Sequence, residues 1–395
     1  MALGRILGRQ RCRDALLGLG LLWGAFALVL WPEQAMGAMG DGLRLCANVI
    51  LPSLFPFFVL SSLVVELGLT RYLGRLLEPV MAPLFRVNGA CAAALALGAV
   101  GGYPVGARTA IQLYENGQCS RTEAERLLAF CNNSGPAFIL GAVGAGVFGS
   151  GAAGLLLYLA HLLASLLVGV LFRFYKPDQD PLTRRAGGPQ FQAVPFPLAF
   201  TRSVTGSLQS LLNICAFVLF FTVFLRVLTF AGVLPALAGG LSALLSPLGL
   251  SPMWAQWLLT GLVELSSGVT SLTDGPLSGR LSMAAFMLGW AGMCVHCQVL
   301  AFLGDSGLSL RTYVGGKALH ALLSSLLAAG LYRLFPLAEP AASYLARQTE
   351  AIAALDFSRA LTISAGAAWV TFLLFLALAL RGAKKTSGKS RTHVV

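Results

Sequence analysis

The sequence predicts an all-α polytopic membrane protein, and three observations carry the prediction. Of 395 residues, 56% are hydrophobic and only 11% charged, less than half the roughly 25% charge of an ordinary soluble domain. Several runs hold about 20 apolar residues, enough to cross roughly 30 Å of hydrocarbon. Basic residues gather in the stretches between those runs, as they do on the cytoplasmic side of a membrane. That gathering accounts for the net charge of +12, so the expected partner is the lipid bilayer and not nucleic acid.

The apolar runs place about eight transmembrane helices, at 15–31, 46–69, 127–149, 151–175, 205–232, 281–304, 311–335 and 359–381. Arg5, Arg9, Arg11 and Arg13 precede the first. A small-residue stretch follows it near Ala35–Gly40, but without a clear A-x-A cleavage site, so residues 1–45 read as a basic segment and a retained first helix. Pro177, Pro181, Pro189, Pro195 and Pro197 make 176–204 a linker. Residues 336–395 supply an outer loop, a last helix and the basic tail RGAKKTSGKSRTHVV.

Two further apolar stretches, 89–115 and 253–279, are interrupted at their centres, at GGYPVGA (101–107) and around Glu264–Gly268. Each arm has roughly 10 residues, or about 15 Å of helix, half a bilayer. They read as re-entrant helical hairpins. Charge agrees. With both hairpins returning to their own side, Arg71, Arg75, Arg86, Arg173, Lys176, Arg184, Arg185, Arg202 and the tail share the cytoplasmic side with the N-terminus. Full spans would move the basic 173–202 loop outside.

The chain then repeats. Residues 46–175 run span, amphipathic stretch, hairpin, broken span, span, and residues 205–335 run in the same order. CNNSGPAFIL at 131–140 parallels AGMCVHCQVL at 291–300. The first unit starts outside and the second inside. This is an inverted repeat, an architecture whose binding sites lie at the midplane between repeats.

CNNSGP shows what such a site needs. Pro136 has no N–H and cannot continue a helical ladder, and it pushes Gly135 away from the α region. Proline suits the first turn of a new helix, with Asn or Ser as the cap. One half-helix therefore ends near Cys131 and another starts at Pro136. The new N-terminus offers free N–H groups and a partial positive charge. Such a break is tolerated only where it lines a cavity or is buried in protein. Asn132 and Asn133 also suit a merely kinked helix that bonds its neighbours. Four consecutive breaking or polar residues exceed what a kink needs.

GGYPVGA, CNNSGPAFILGAVGAGVFG, GLVELSSG and GMCVHCQVLAFLG resemble the YlbJ-type sporulation integral membrane proteins, within the wider nucleoside-recognition or Gate-domain group. The resemblance covers about 15–335. The Gate domain is similar to the repeats of concentrative nucleoside transporters, so 46–175 and 205–335 become Gate-like repeats. The resemblance implies passage of dipicolinic acid from the mother cell across the outer forespore membrane. A nucleoside-like or other small solute, or a non-transporting role in spore-envelope assembly, is the alternative.

A flat dianion in low dielectric needs donors. The candidate substrate-binding residues are Gly102, Tyr103, Pro104, Gly106 and Arg108 at the first hairpin, and Asn132, Asn133, Ser134 and Gly135 at the break. In the second unit they are Glu264, Ser266, Ser267, His296 and Gln298. Arg108 reads either as a fork for a carboxylate or as an interfacial arginine. Tyr103 stacks on a ring or packs the tip, and His296 binds solute or packs helices. An acid deep in an apolar run is functional by default. Glu264 is then a proton-coupling group, a partner for Arg108 or a ligand for a co-transported cation. No cofactor or metal is expected: CVHC at 294–297 is formally C-x-x-C but has no second pair. Neither GxSxG nor HExxH occurs, so the chain is not expected to be an enzyme.

Overall fold

A computed structural model describes residues 2–176, 195–245, 252–304 and 306–337, with 362, 365, 366, 368–370, 372 and 373 beyond them. Every element among these is helical. α1 (Ala2–Leu30) leaves Leu16, Leu21, Leu22 and Val29 exposed, as a lipid-facing helix does. α2 (Pro32–Leu45) starts with proline in its first turn, where the missing N–H has no partner to lose. A π-wound turn, Cys46–Ile50, leads into α3 (Leu51–Glu66). α4 (Thr70–Phe85) ends at Arg86, which takes a left-handed φ of 53°. There the chain bends by 94° into the stretch that carries α5 (Ala92–Gly101). α6 (Val105–Glu115) folds back on α5. α7 (Arg121–Leu128) begins with a capping box, Ser120 and Glu123 each accepting the other's backbone N–H. A π-wound segment, Ala137–Val147, precedes α8 (Gly151–Phe172).

The second half follows with α9 (Phe196–Phe230), α10 (Val233–Leu245), α11 (Pro252–Val263), α12 (Leu265–Thr270), α13 (Leu277–Trp290), α14 (Gly292–Leu303) and α15 (Leu310–Leu334). α9 starts inside the stretch read as a linker. Pro195 and Pro197 sit at its N-cap and first turn, where proline fits. Along α9, Thr205, Ser210, Thr222 and Thr229 turn their hydroxyls onto carbonyls four residues back. Polar residues thereby stay satisfied in an apolar helix.

Among the described residues, five helices are long and apolar enough to cross a membrane: Cys12–Leu30, Gly151–Phe172, Phe196–Phe230, Leu277–Leu303 and Leu310–Leu334. Counting the bent pair as one span makes six. The chain is an integral membrane protein in a lipid bilayer. The expected span at 46–69 is divided by the π turn and contains Pro56 within α3. The one at 127–149 is not a continuous helix, because residues 129–135 leave the regular helix ahead of Pro136. The one at 359–381 lies almost wholly outside the described residues, as do the 336–358 loop past Leu337 and the tail.

Two apolar cores hold the bundle. Leu77, Met81, Phe85, Leu113, Leu127 and Leu128 pack with Val299 and Tyr313. Ile139, Val143 and Leu157 pack with Trp257, Leu265, Leu281 and Leu288. Each core takes side chains from both halves of the chain. In lipid the hydrophobic gain of leaving water is already spent, so close packing and buried polar bonds fix these contacts.

One polar knot ties both halves at a helix end. The buried Glu125 carboxylate accepts from Arg121 Nε at 3.1 Å, Lys176 Nζ at 3.0 Å, the Tyr175 hydroxyl at 3.0 Å and Ser309 N at 3.1 Å. Burial pushes its carboxyl up, but the bonds from Lys176, Arg121 and Tyr175 outweigh burial and hold it below the usual glutamate range. Beside it Arg126 donates to the carbonyls of Arg86 at 2.7 Å, Tyr175 at 2.8 Å and Lys176 at 3.1 Å.

Candidate functional site

The site is built where the helix stops. After Leu128, residues 129–135 leave the regular helix, Cys131 N still reaching the Leu127 carbonyl at 2.8 Å, and helix resumes at Pro136 ahead of the π-wound segment. Their buried backbone groups must find other partners. The Phe130 carbonyl accepts from Ser165 Oγ at 2.7 Å and from Asn133 Nδ2 at 3.1 Å. The Asn132 carbonyl accepts from Lys317 Nζ at 3.0 Å. Ser134 N donates to His161 Nε2 at 3.0 Å. Side chains of α8 and α15 thus replace the missing ladder.

The first hairpin seats against this break through absent side chains. The Cys131 carbonyl lies between Gly98 and Gly106 so closely that a Cβ on either glycine would collide with it. At the tip, Gly102 has φ 79° and lies against Gly135, 2.9 Å separating its would-be Cβ from Gly135 N. Only glycine takes that conformation in that space. Tyr103 donates its hydroxyl to the Leu288 carbonyl, and its ring lies 5.1 Å from Lys317 Nζ. Pro104, after a cis peptide bond, caps α6.

Around Lys317 the network closes. Nζ lies 3.4 Å from His320 Nδ1. His320 Nε2 reaches the His161 carbonyl at 3.0 Å, and the two imidazoles stand 4.4 Å apart. Asn132 Nδ2 donates to the Tyr313 oxygen at 3.3 Å, and that hydroxyl is 3.1 Å from His296 Nδ1. His296 also meets Trp290 edge to face. Lys317, His161, His320, Tyr313, Asn132, Asn133, Ser134 and His296 are all buried. Asn132 Oδ1, Asn133 Oδ1, His161 Nδ1 and His296 Nε2 have no partner, while the Ser134 hydroxyl bonds to Tyr103.

The candidate residues therefore divide. Gly102, Tyr103, Asn132, Asn133, Ser134, Gly135 and, through Tyr313, His296 come together. Arg108 lies elsewhere: its guanidinium is 5.0 Å from the Phe58 ring and 3.5 Å from Ser207 Oγ, between α3 and α9. Glu264 caps α12, accepting from Ser266 N at 2.9 Å and Ser267 N at 2.7 Å. No ion pair joins it to Arg108 among the described residues. Gln298 turns to Cys294 Sγ at 3.4 Å. Among the described residues, no three metal-ligating side chains cluster. Reading the sequence overlooked Lys317, His161 and His320, although a lysine inside the apolar run 310–334 was a signal.

Comparison with known proteins adds two findings. The Gate family, described as nucleoside recognition, matches residues 47–171. The chain is 33% identical over 317 residues, 74% of its own length and 76% of the relative's, to the sporulation integral membrane protein YlbJ of Bacillus subtilis (strain 168). No solved structure matches.

Proposed function

From a chain that belongs to the family of the sporulation integral membrane protein YlbJ and carries a Gate domain, we propose that the protein transports a small anionic solute. The solute is dipicolinic acid, carried into the developing spore across the outer forespore membrane by alternating access. The observation that carries the reading is the break at 129–135, with unpartnered amide and imidazole atoms buried between helices. A structural kink satisfies its polar groups; a binding site leaves some for its solute.

The inverted repeat and the two re-entrant hairpins belong to this proposal. Each hairpin tip rests on a helix break, Gly102 on Gly135 and the Val263–Leu265 turn on Gly292. The shared cores have the interlock that two opposed repeats produce. Eight spans with both termini cytoplasmic complete it. The solute passes unchanged, without covalent chemistry.

The deciding experiment is uptake of radiolabelled dipicolinate into liposomes that hold the purified protein, with uridine alongside. Saturable dipicolinate uptake, absent from empty liposomes, is expected. Uptake of uridine without dipicolinate would transfer the assignment to nucleosides, the solute class that the Gate description names.

A further inference from the structure

The break cluster contains a buried cation, and no ion pair to Lys317 occurs among the described residues. Its hydrogen bonds fix where the neighbouring protons are. The His161 carbonyl can only accept, so His320 Nε2 carries its ring proton and Nδ1 accepts from Lys317. Ser134 N can only donate, so His161 Nε2 accepts and the ring proton sits on Nδ1, which has no partner. Asn132 Nδ2 donates to the Tyr313 oxygen, and His296 Nδ1 at 3.1 Å is the acceptor that satisfies the Tyr313 proton in the neutral tautomer protonated on Nε2. That leaves the His296 proton on Nε2, again without a partner.

Two imidazole N–H groups are thus unsatisfied donors on residues exposed by 0% and 4%, and a buried donor without a partner is costly. Lys317 holds one carbonyl and one imidazole nitrogen, and its remaining direction faces the Tyr103 ring. The ring contact is the weakest of the three, and it is the one a carboxylate displaces. Asn132 and Asn133 each leave an amide oxygen open as well. That suits a ligand carrying a proton beside its negative charge, as a half-neutralised diacid does.

We infer that Lys317 is the fixed positive charge that receives a carboxylate of the solute, with His161 Nδ1–H and His296 Nε2–H as its neutral donors. This rests on the reading that the chain carries a small anion, and it moves the counter-charge from Arg108 to Lys317.

Thermal melting of the full-length protein in detergent tests it, with dipicolinate, isophthalate, the neutral diamide of each, and uridine as probes. A ligand that binds only the folded state raises the melting temperature with its occupancy. Wild type should respond to at least one diacid and not to the matching diamide. Lys317→Met removes a buried amine but leaves the Asn132 carbonyl and His320 Nδ1 without a donor, so it should melt lower than wild type without ligand, and its own unliganded melting temperature is the reference for its ligand shifts. The variant should bind the diacid at least about tenfold more weakly.

Equal diacid binding by wild type and Lys317→Met overturns the inference and leaves transport of dipicolinate standing. Isophthalate binding that the variant loses, with no response to dipicolinate, sustains Lys317 and removes dipicolinate. A response to uridine alone, or to no diacid, overturns both. Should Lys317→Met fail to fold, Lys317→Arg decides: it keeps the charge and must keep the preference for acid over amide, and its absence overturns the inference.

Discussion

The chain interrupts a membrane-depth helix twice, and the two interruptions are closed differently. Residues 129–135 leave three backbone groups to side chains, Ser165 and Asn133 on the Phe130 carbonyl, Lys317 on the Asn132 carbonyl and His161 on Ser134 N. The second break is two residues long. Ala291 and Gly292 take φ of 79° and 80°, and Ala291 N still reaches the Met287 carbonyl at 2.8 Å. Backbone closes it almost alone, with Trp290 Nε1 donating to the Leu262 carbonyl at 3.1 Å. A break mended by its own backbone recruits little chemistry. A break mended by side chains draws in lysine, histidine and serine, and some of their polar atoms stay open. The same device twice in one chain leaves one buried polar cluster and one joint closed by backbone.

The strongest way to break that comparison is to spoil the seat of the first interruption. Gly106→Val drives a side chain into the Cys131 carbonyl, and overpacking against backbone exceeds the about 1–3 kcal/mol of an ordinary core clash. The monodisperse peak in size-exclusion chromatography should vanish, while Gly315→Val, with open space around it, should keep it. A normal peak for Gly106→Val would show that the tight seat is dispensable.

Glu125→Ala comes next. It orphans Ser309 N and the Tyr175 hydroxyl and frees two cations, at about 3 kcal/mol. Because its folded-state value is depressed, the stabilisation is complete above the ordinary glutamate value of 4.5 and is lost as pH falls through the lower folded value. The difference in melting temperature between wild type and variant should narrow on acidification; a constant difference down to about pH 3 counts against the ion-pair account.

Asn133→Ala should cost only about 1 kcal/mol, since Ser165 still holds the Phe130 carbonyl, yet lower transport at least about tenfold. Glu264→Gln keeps one of two capping oxygens for α12, costs less than about 1 kcal/mol and should leave transport near wild type. Liposome uptake separates them, and the reverse order of effects would invert the comparison. The smallest change is Ala291→Gly. It relieves a left-handed alanine worth about 1–2 kcal/mol and costs about 0.5–1 kcal/mol of chain entropy. A slight rise in melting temperature is expected, and a fall would mean that the Ala291 methyl is packed for a purpose.

What the sequence made legible follows from residues whose backbone rules are rigid. Pro136 forbids a continuing ladder wherever it stands, and helix is absent from 129 to 135, ahead of it. GGYP and the stretch around Glu264 are interrupted in the same way, α5 giving way to α6 and α11 to α12. Side-chain meetings across the bundle were not legible. Lys317 and His320 share one apolar run and His161 lies in another, and only the packing of α8 against α15 brings the three to the break. The argument that an acid in an apolar helix is functional applied equally to Lys317. Arg108 shows the converse: it follows the first tip closely in sequence, but the turn of α6 carries its side chain to α3 and α9. Glu264 looked costly because its acceptors for backbone N–H were invisible before α12 was known to begin beside it.

The Lys317 bond to the Asn132 carbonyl also sets a clock on manufacture. The two partners are 185 residues apart, and a ribosome adding about 5–20 residues per second needs roughly 10–40 s to travel between them. Phe130 and Arg126 find their partners in Ser165, Tyr175 and Lys176 much earlier. The nascent first half therefore enters the membrane with its deepest carbonyl unclaimed. Whatever shelters it in that interval, an insertase wall or a thread of water, is as necessary to the protein as the lysine that finally arrives.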